Sequence, residues 1–407
     1  MGSKRGIIRR RDFLKTAAAA TAGLVIVKPE SVRGAPANSA LRVGLIGCGG
    51  RGRFVSRFFP QHTTAKIVAI ADPFKDRVDS VKRELDKLQK GAELDEKRCF
   101  VGLDAYKALI ESGVDAVLVE SPPYFHPLHA ATAVDAGKHV YTAKPVAVDV
   151  PGCQSIAASS EKAKAKNLSF LVDFQTRSTD FYIEAAKRVH EGAIGKPVSG
   201  QVYYIAGRLG VQKSMPGDTP DAVRLRNWVF DKVLSGDIIV EQNIHVLDVS
   251  NWFLQSHPTK AIGTGGRKAR VDVGDCWDHF LVTYWYPNDV LMDFSSAQYA
   301  RGYDDLCCRL FGNKGTVDSH YGGPVKITGD NPWEGGLTTN IYQDGAVANV
   351  KAFVEAIETG KPVNSGARGA ESTLTSVLGR IAAYRGAMVT WEEMMKENEK
   401  LETTLKI

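Results

Sequence analysis

Two side chains far apart in the chain carry the chemistry needed to move a proton beside a reacting carbon. Lys144 stands in Thr142-Ala143-Lys144-Pro145, and His245 in Glu241-Gln242-Asn243-Ile244-His245-Val246-Leu247-Asp248. A lysine buried at a strand end holds its proton less tightly, so it can polarise an oxygen or accept from it. The histidine stretch reads as a helix, with Glu241 at i−4 and Asp248 at i+3 on the same face. A carboxylate on that face is expected to fix the imidazole tautomer. Each residue also has a plainer reading, as a solvated strand-end charge or a surface ion pair. Only their company decides.

That company is a glycine loop. An apolar run from Leu41 to Ile46 leads into Gly47-Cys48-Gly49-Gly50-Arg51-Gly52, with glycines at the spacing G-x-G-x-x-G. Gly47 lets the chain turn off a strand, and Gly49 leaves room for a pyrophosphate. Gly52 lets a helix pack close, with its N–H groups aimed at the phosphates. Gly50 and Arg51 lie inside the same loop. A second apolar run, Lys66 to Ala71, ends at Asp72, twenty residues beyond Gly52. An acid there accepts from the adenosine ribose and repels a 2′-phosphate, so NAD is favoured over NADP although Lys75 and Arg77 stand nearby. With a nicotinamide ring to take a hydride, Lys144 and His245 become the groups that handle a hydroxyl proton.

The elements that must position these residues alternate. Apolar runs end at Asp72, at Ser121-Pro122, at Lys144 and near Phe174, with helical stretches between them. Such β-α units make an open parallel sheet whose ligands sit at the carboxyl ends of the strands. Pro122 and His126 lie on the loop where the middle of a dinucleotide passes. Gln175 and Arg177 follow the last strand of this half. From about Lys196 the rhythm changes to strands with few helices between them, at 198–205, 261–265, 279–286, 290–296 and 306–311, which reads as a largely antiparallel sheet. Helices are expected at 238–254, 346–358 and 370–385, the last packing back on the first half. Arg226 and Trp228, an Arg beside an aromatic, suit a sugar ring or an acidic substituent. Glu241 and Asn243 complete the candidate substrate contacts.

At 407 residues the chain is long enough for two cores. Of its 52 basic and 46 acidic residues, eight and two lie in residues 1–37, leaving 44 of each in the rest. The body is neutral, which argues against nucleic-acid binding. The basic segment reads as an address. Arg10-Arg11-Asp12-Phe13-Leu14-Lys15 matches a twin-arginine export pattern, an alanine-rich stretch from Thr16 to Val27 follows, and Ala35-Pro36-Ala37 offers a cleavage site. The stretch is too short to span a bilayer as a helix. Export by the twin-arginine machinery to the periplasm or beyond is the expectation. The six cysteines show no metal-ligand spacing, so no metal is expected and most are small buried hydrophobes.

The glycine loop, Asp72, Lys144-Pro145 and the 241–248 stretch together resemble the glucose–fructose oxidoreductase / inositol dehydrogenase / MocA (Gfo/Idh/MocA) family, from about Leu41 to near the C-terminus. The resemblance implies an α/β fold: an N-terminal Rossmann parallel sheet and a C-terminal α+β domain on a largely antiparallel open sheet. With the export signal read above at 1–37, the domains are expected at 38–175 (Rossmann), 176–370 (substrate) and 371–407 (C-terminal helix and tail). The resemblance also implies Lys144 and His245 as catalytic groups, Gly47, Gly49 and Gly52 on the phosphates, and a homo-oligomer formed through the open sheet. Two positions depart from the pattern. Residue 143 is Ala where the family usually has Glu, and residue 241 is Glu where Asp is more frequent. Three functions stay open at this point. They are oxidation or reduction of a sugar, polyol or glycoside hydroxyl, a glycosidase using transient oxidation by NAD, and a non-enzymatic NAD- or sugar-binding protein.

Overall fold

The computed structural model describes residues 40–405, and from Leu41 onward the chain forms one compact unit. The export signal expected at 1–37 lies outside the described residues. Six parallel strands form the first sheet: β1 (Arg42–Ile46), β2 (Lys66–Asp72), β3 (Cys99–Val101), β4 (Ala116–Val119), β5 (His139–Ala143) and β6 (Phe170–Asp173). Their order is β3-β2-β1-β4-β5-β6, which places the topological switch between β1 and β4. Every residue of β4 is buried, as a parallel strand with helices on both faces must be. The helix Lys75–Leu88 shows the complementary pattern, burying Val78, Val81 and Leu85 on one stripe and leaving its charges to water.

The second sheet contains β7 (Pro197–Ala206), β8 (Lys260–Gly266), β9 (His279–Trp285), β10 (Leu291–Gln298), β11 (Asp305–Gly312), β12 (Gly315–His320), β13 (Pro324–Gly329), β14 (Trp333–Leu337) and β15 (Val389–Thr390). It is antiparallel except where β7 and β10 run side by side in parallel. Alternate residues of β10 are buried, Met292, Phe294 and Ser296, so one face meets the core and the other is open.

Two helices differ from their sequence-based bounds because tertiary packing extends them. The helix expected at 346–358 begins at Ile341. Its Ala346, Val350 and Phe353 join Val43 and Ile67 in the core under the first sheet. The C-terminal helix, Gly366–Arg385, is buried over most of its length. It packs on the first half, as expected, and equally on the second sheet. A Cβ at Gly366 would lie 2.3 Å from Ser160 Cβ, and one at Gly379 would lie 1.9 Å from Tyr284 Oη. Small residues here let two sheets share one helix. The single helix expected at 238–254 is in fact two, Ile238–Glu241 and Ile244–Leu254.

Candidate functional site

The glycine loop is built as its spacing requires. Gly47 has φ +100°, and a Cβ there would lie 2.5 Å from the Glu120 carbonyl; a Cβ at Gly52 would lie 1.9 Å from the Gly47 oxygen. Both are therefore glycine for the fold's own reasons. Gly49 is different. Its nearest neighbour would be Arg77 Nη1 at 3.9 Å, and Gly50 has nothing within 4 Å, so the space over the loop is open to a ligand. The helix Gly50–Ser56 starts there, with its first N–H groups facing that space.

Asp72 ends β2 and is 4% exposed. Its Oδ2 accepts from the Cys48 amide and its Oδ1 from the Phe74 amide, each at 2.8 Å. Burial raises its pKa. Each oxygen keeps a further acceptor position towards a pocket lined by Gly47, Asp72, Phe74, Pro122, Leu225 and Trp228. Of the two cations near Asp72, Lys75 pairs with Asp79 at 2.7 Å, and Arg77 lines the pocket.

Beside this pocket lies a larger cleft of about 950 Å³, which brings Arg51, Lys144, Gln175, Glu241 and His245 together. Lys144 Nζ donates to the Glu241 carbonyl at 2.5 Å and sits 3.4 Å from its carboxylate. Burial lowers the lysine's pKa against the pull of Glu241. His245 is 8% exposed, and its Nδ1 has no hydrogen-bond partner. Burial, then the charges of Lys144 and Arg51, hold its pKa well below the ordinary histidine range. Burial keeps the imidazole neutral, and the residue lines the cleft.

The expected carboxylate on the His245 face is a correction. Asp237, with φ 75°, caps the short turn Ile238–Glu241, and the chain breaks at Gln242 and Asn243 before the next helix starts. Glu241 consequently turns to Lys144. Asp248, wholly buried, is held by Arg177 at 2.8 to 3.1 Å and by Ser372 Oγ at 2.6 Å. No carboxylate is left for the imidazole.

Other candidates are redistributed in the same way. Arg177 stacks over Trp252 at 4.9 Å and serves Asp248, so it is not a cleft residue. Arg226 reaches the cleft, but Asp76 and Asp218 take its guanidinium at 2.8 Å each. Trp228 closes the adenosine-side pocket as well as the cleft. Asn243 is 1% exposed and does not line the cleft. His126 is fully buried, its Nδ1 2.8 Å from the Pro145 oxygen and Nε2 2.6 Å from the Ser121 oxygen. Burial pushes its pKa down to about 4, and its job is to tie two loops together. Gln175 lines the cleft and accepts from Tyr321 at 3.3 Å. Arg51 pairs with Asp173 and lies over the Tyr342 ring at 4.8 Å.

Spacing alone does not single out Glu120, Asp173 or Tyr321. The two acids carried a signal nonetheless. Glu120 directly follows, and Asp173 ends, a fully buried strand, much as Asp72 ends the largely buried β2. Among the described residues one trio has metal-ligand chemistry, Asp305, Cys307 and His320. Its groups are already engaged: His320 lies 2.9 Å from Asp305 and 3.0 Å from Asp318 outside the trio, and Cys307 Sγ donates to Asp305 at 3.6 Å.

The open loop, the acid at the end of β2 and a cleft at the β1/β4 switch fit a dinucleotide, and they define a Rossmann-type two-domain protein. Residues 41–171 match a family model described as "Oxidoreductase family, NAD-binding Rossmann fold", and 182–318 match the "GFO/IDH/MocA C-terminal domain". The chain belongs to the Gfo/Idh/MocA family. It is 28% identical over 256 residues to scyllo-inositol 2-dehydrogenase (NAD(+)) of Bacillus subtilis (strain 168), covering 62% of this chain and 66% of that protein. It is 28% identical over 218 residues to a glycosyl hydrolase family 109 protein of Shewanella baltica (strain OS195), covering 49% and 46%. The match thus spans less than two thirds of each of these relatives. A solved levoglucosan dehydrogenase, in complex with NADH and levoglucosan, superposes with a TM-score of 0.69 at 19% identity, covering 86% of this chain and 99% of that one.

Proposed function

We propose that the chain is an NAD-dependent oxidoreductase acting on a CH–OH group of a sugar, polyol or glycoside. One observation carries this reading. The neutral, unpaired imidazole of His245 and the amine of Lys144 line the same cleft as the glycine loop. NAD, when bound, supplies the hydride acceptor. His245 receives the hydroxyl proton, which a neutral ring can do and an imidazolium cannot. Lys144, anchored on Glu241, directs an N–H at the substrate oxygen and favours the charge that grows there. Gln175, Glu241 and Tyr204 line the surrounding wall and offer polar groups to a polyhydroxylated ring.

A screen of free sugars, polyols and aryl glycosides, followed by both NADH absorbance and aglycone release, tests the reading. Stoichiometric NADH from a polyol or sugar is the expected result. Aglycone release without NADH identifies the glycosidase instead, and neither signal leaves the non-enzymatic function. Similarity to an inositol dehydrogenase makes cyclic polyols the first substrates to try.

Export by the twin-arginine route rests on Arg10 and Arg11, and exchanging both for Lys is expected to leave precursor in the cytoplasm. A second copy of the chain is proposed to cover the open face of the second sheet. Leu281, Ile262 and Leu291, 51%, 38% and 40% exposed, share that face by strand register.

A further inference from the structure

The side chain the mechanism leaves unused is Glu120. It follows β4 directly, and the pairing of Val119 with Thr142 brings it beside Ala143, whose side chain is a methyl. On the far side of Ala143, strand register places Asp173. Glu120 is 8% exposed, and neither carboxyl oxygen has a hydrogen-bond partner. It lines both the adenosine-side pocket and the larger cleft. A molecule occupying both runs along a wall to which Glu120 contributes, with Gly49 and Ser121 beside it.

Nothing in the fold calls for an acid here. Gly47 and Gly52 pack on its backbone and Cβ, contacts that any residue with a side chain would make. Burying a carboxyl without partners costs several kcal/mol, so an apolar residue would suit the folded chain better. The charged and titratable groups around it are Arg51 on the glycine-loop helix, Tyr141 on β5, Lys144 after β5 and Asp173 on β6. Both cations already have anionic partners, Arg51 in Asp173 and Lys144 in Glu241. The carboxyl that remains lacks a cation, and the oxidised nicotinamide ring is one.

We propose that Glu120 is the counter-group of the nicotinamide half of the bound dinucleotide, ionised beside the oxidised, cationic ring and protonated beside the neutral, reduced one. This rests on the dinucleotide reading above. Burial pushes the carboxyl up to about 8, so it stays neutral at neutral pH until a cation arrives. Glu120 then loses one proton to solvent when oxidised cofactor binds. It regains one when the ring has taken a hydride and lost its charge, so alcohol oxidation on the enzyme keeps within the site the proton it would otherwise release. Ala143 offers only a methyl, so no carboxyl at that position competes with Glu120 for this role.

The test equilibrates the protein with mixtures of NAD+ and NADH between about pH 6 and pH 9, removes free nucleotide, and measures the ratio retained. Wild type is expected to shift towards NAD+ by roughly tenfold as pH rises through this range, the size of one screened charge contact. Glu120→Gln should lose most of that shift, and Glu120→Asp, which keeps the charge, should preserve it. A pH-independent ratio in wild type overturns the assignment whether or not the variants fold, and so does an undiminished shift in Glu120→Gln. Binding of neither nucleotide overturns the dinucleotide reading itself, whereas binding of both without a shift overturns only the role of Glu120.

Discussion

Gly49 and Gly52 separate what the fold needs from what the ligand needs. Gly52→Ala puts a methyl 1.9 Å from the Gly47 oxygen, so the loop must move; a loss of about 2 kcal/mol or more is expected in urea unfolding. Gly49→Ala meets no protein atom closer than 3.9 Å. It should leave the melting temperature of nucleotide-free protein unchanged and weaken NAD binding by roughly tenfold, about 1.4 kcal/mol. His245→Ala should fold, keep NAD and lose ~10²–10⁴ in turnover. Because burial keeps the imidazole neutral, the acid limb of the wild-type rate profile is expected below the ordinary histidine range. Glu120 makes a stability prediction of the opposite kind. Its carboxyl is protonated in the folded chain up to about pH 8 but ionised in the unfolded chain above about 4.5. The unfolded state thus gains stability as pH rises through that window, and nucleotide-free protein should lose a few kcal/mol, roughly, between its ends. Thermal melts of Glu120→Gln should be flatter over the same window.

At the scale of elements, the helix Ile244–Leu254 is aimed by a pair that does not line the cleft. Arg177 and Asp248 are 13% and 0% exposed and meet through parallel N–H donations, with Ser372 on the C-terminal helix as a third partner. Arg177→Met leaves a buried carboxylate uncompensated, and roughly 3 kcal/mol or more should be lost in denaturant unfolding. Arg177→Lys restores the charge but not the two-pronged geometry, so only partial recovery is expected. The break at Gln242 and Asn243 matters as much. A continuous helix would hold Glu241 over His245, whereas two short helices hand Glu241 to Lys144 and leave the imidazole unpaired.

Across the whole molecule, one helix is shared between sheets. Arg380 on the C-terminal helix donates to the carbonyls of Val148, at 2.7 Å, and Gly236, at 3.1 Å, linking the loop after Lys144 to the loop before His245. Lys144 and His245 are therefore placed by a common brace, although they stand on different halves of the chain. The exposed face of the second sheet belongs to this scale too. Leu281→Asp is expected to give a smaller species in sedimentation experiments without changing the circular dichroism spectrum, since residue 281 points away from the core.

The glycine loop, Asp72, the alternation of β-α units and the change of rhythm near Lys196 were legible because each is local. Backbone sterics, strand periodicity and helix-end dipoles act over a few residues, and the chain carries them in its spacing. Lys144 and His245 were singled out by type and motif, and the fold brings both to one cleft. Which carboxylate meets which cation was not, because Arg177 and Asp248 lie 71 positions apart and their pairing exists only after two sheets close on one helix. The same closure leaves Glu120 buried beside Ala143 with no partner. The position of Glu120 after an apolar strand is written in the sequence, but its lack of a partner leaves no periodic mark there and exists only in the tertiary structure.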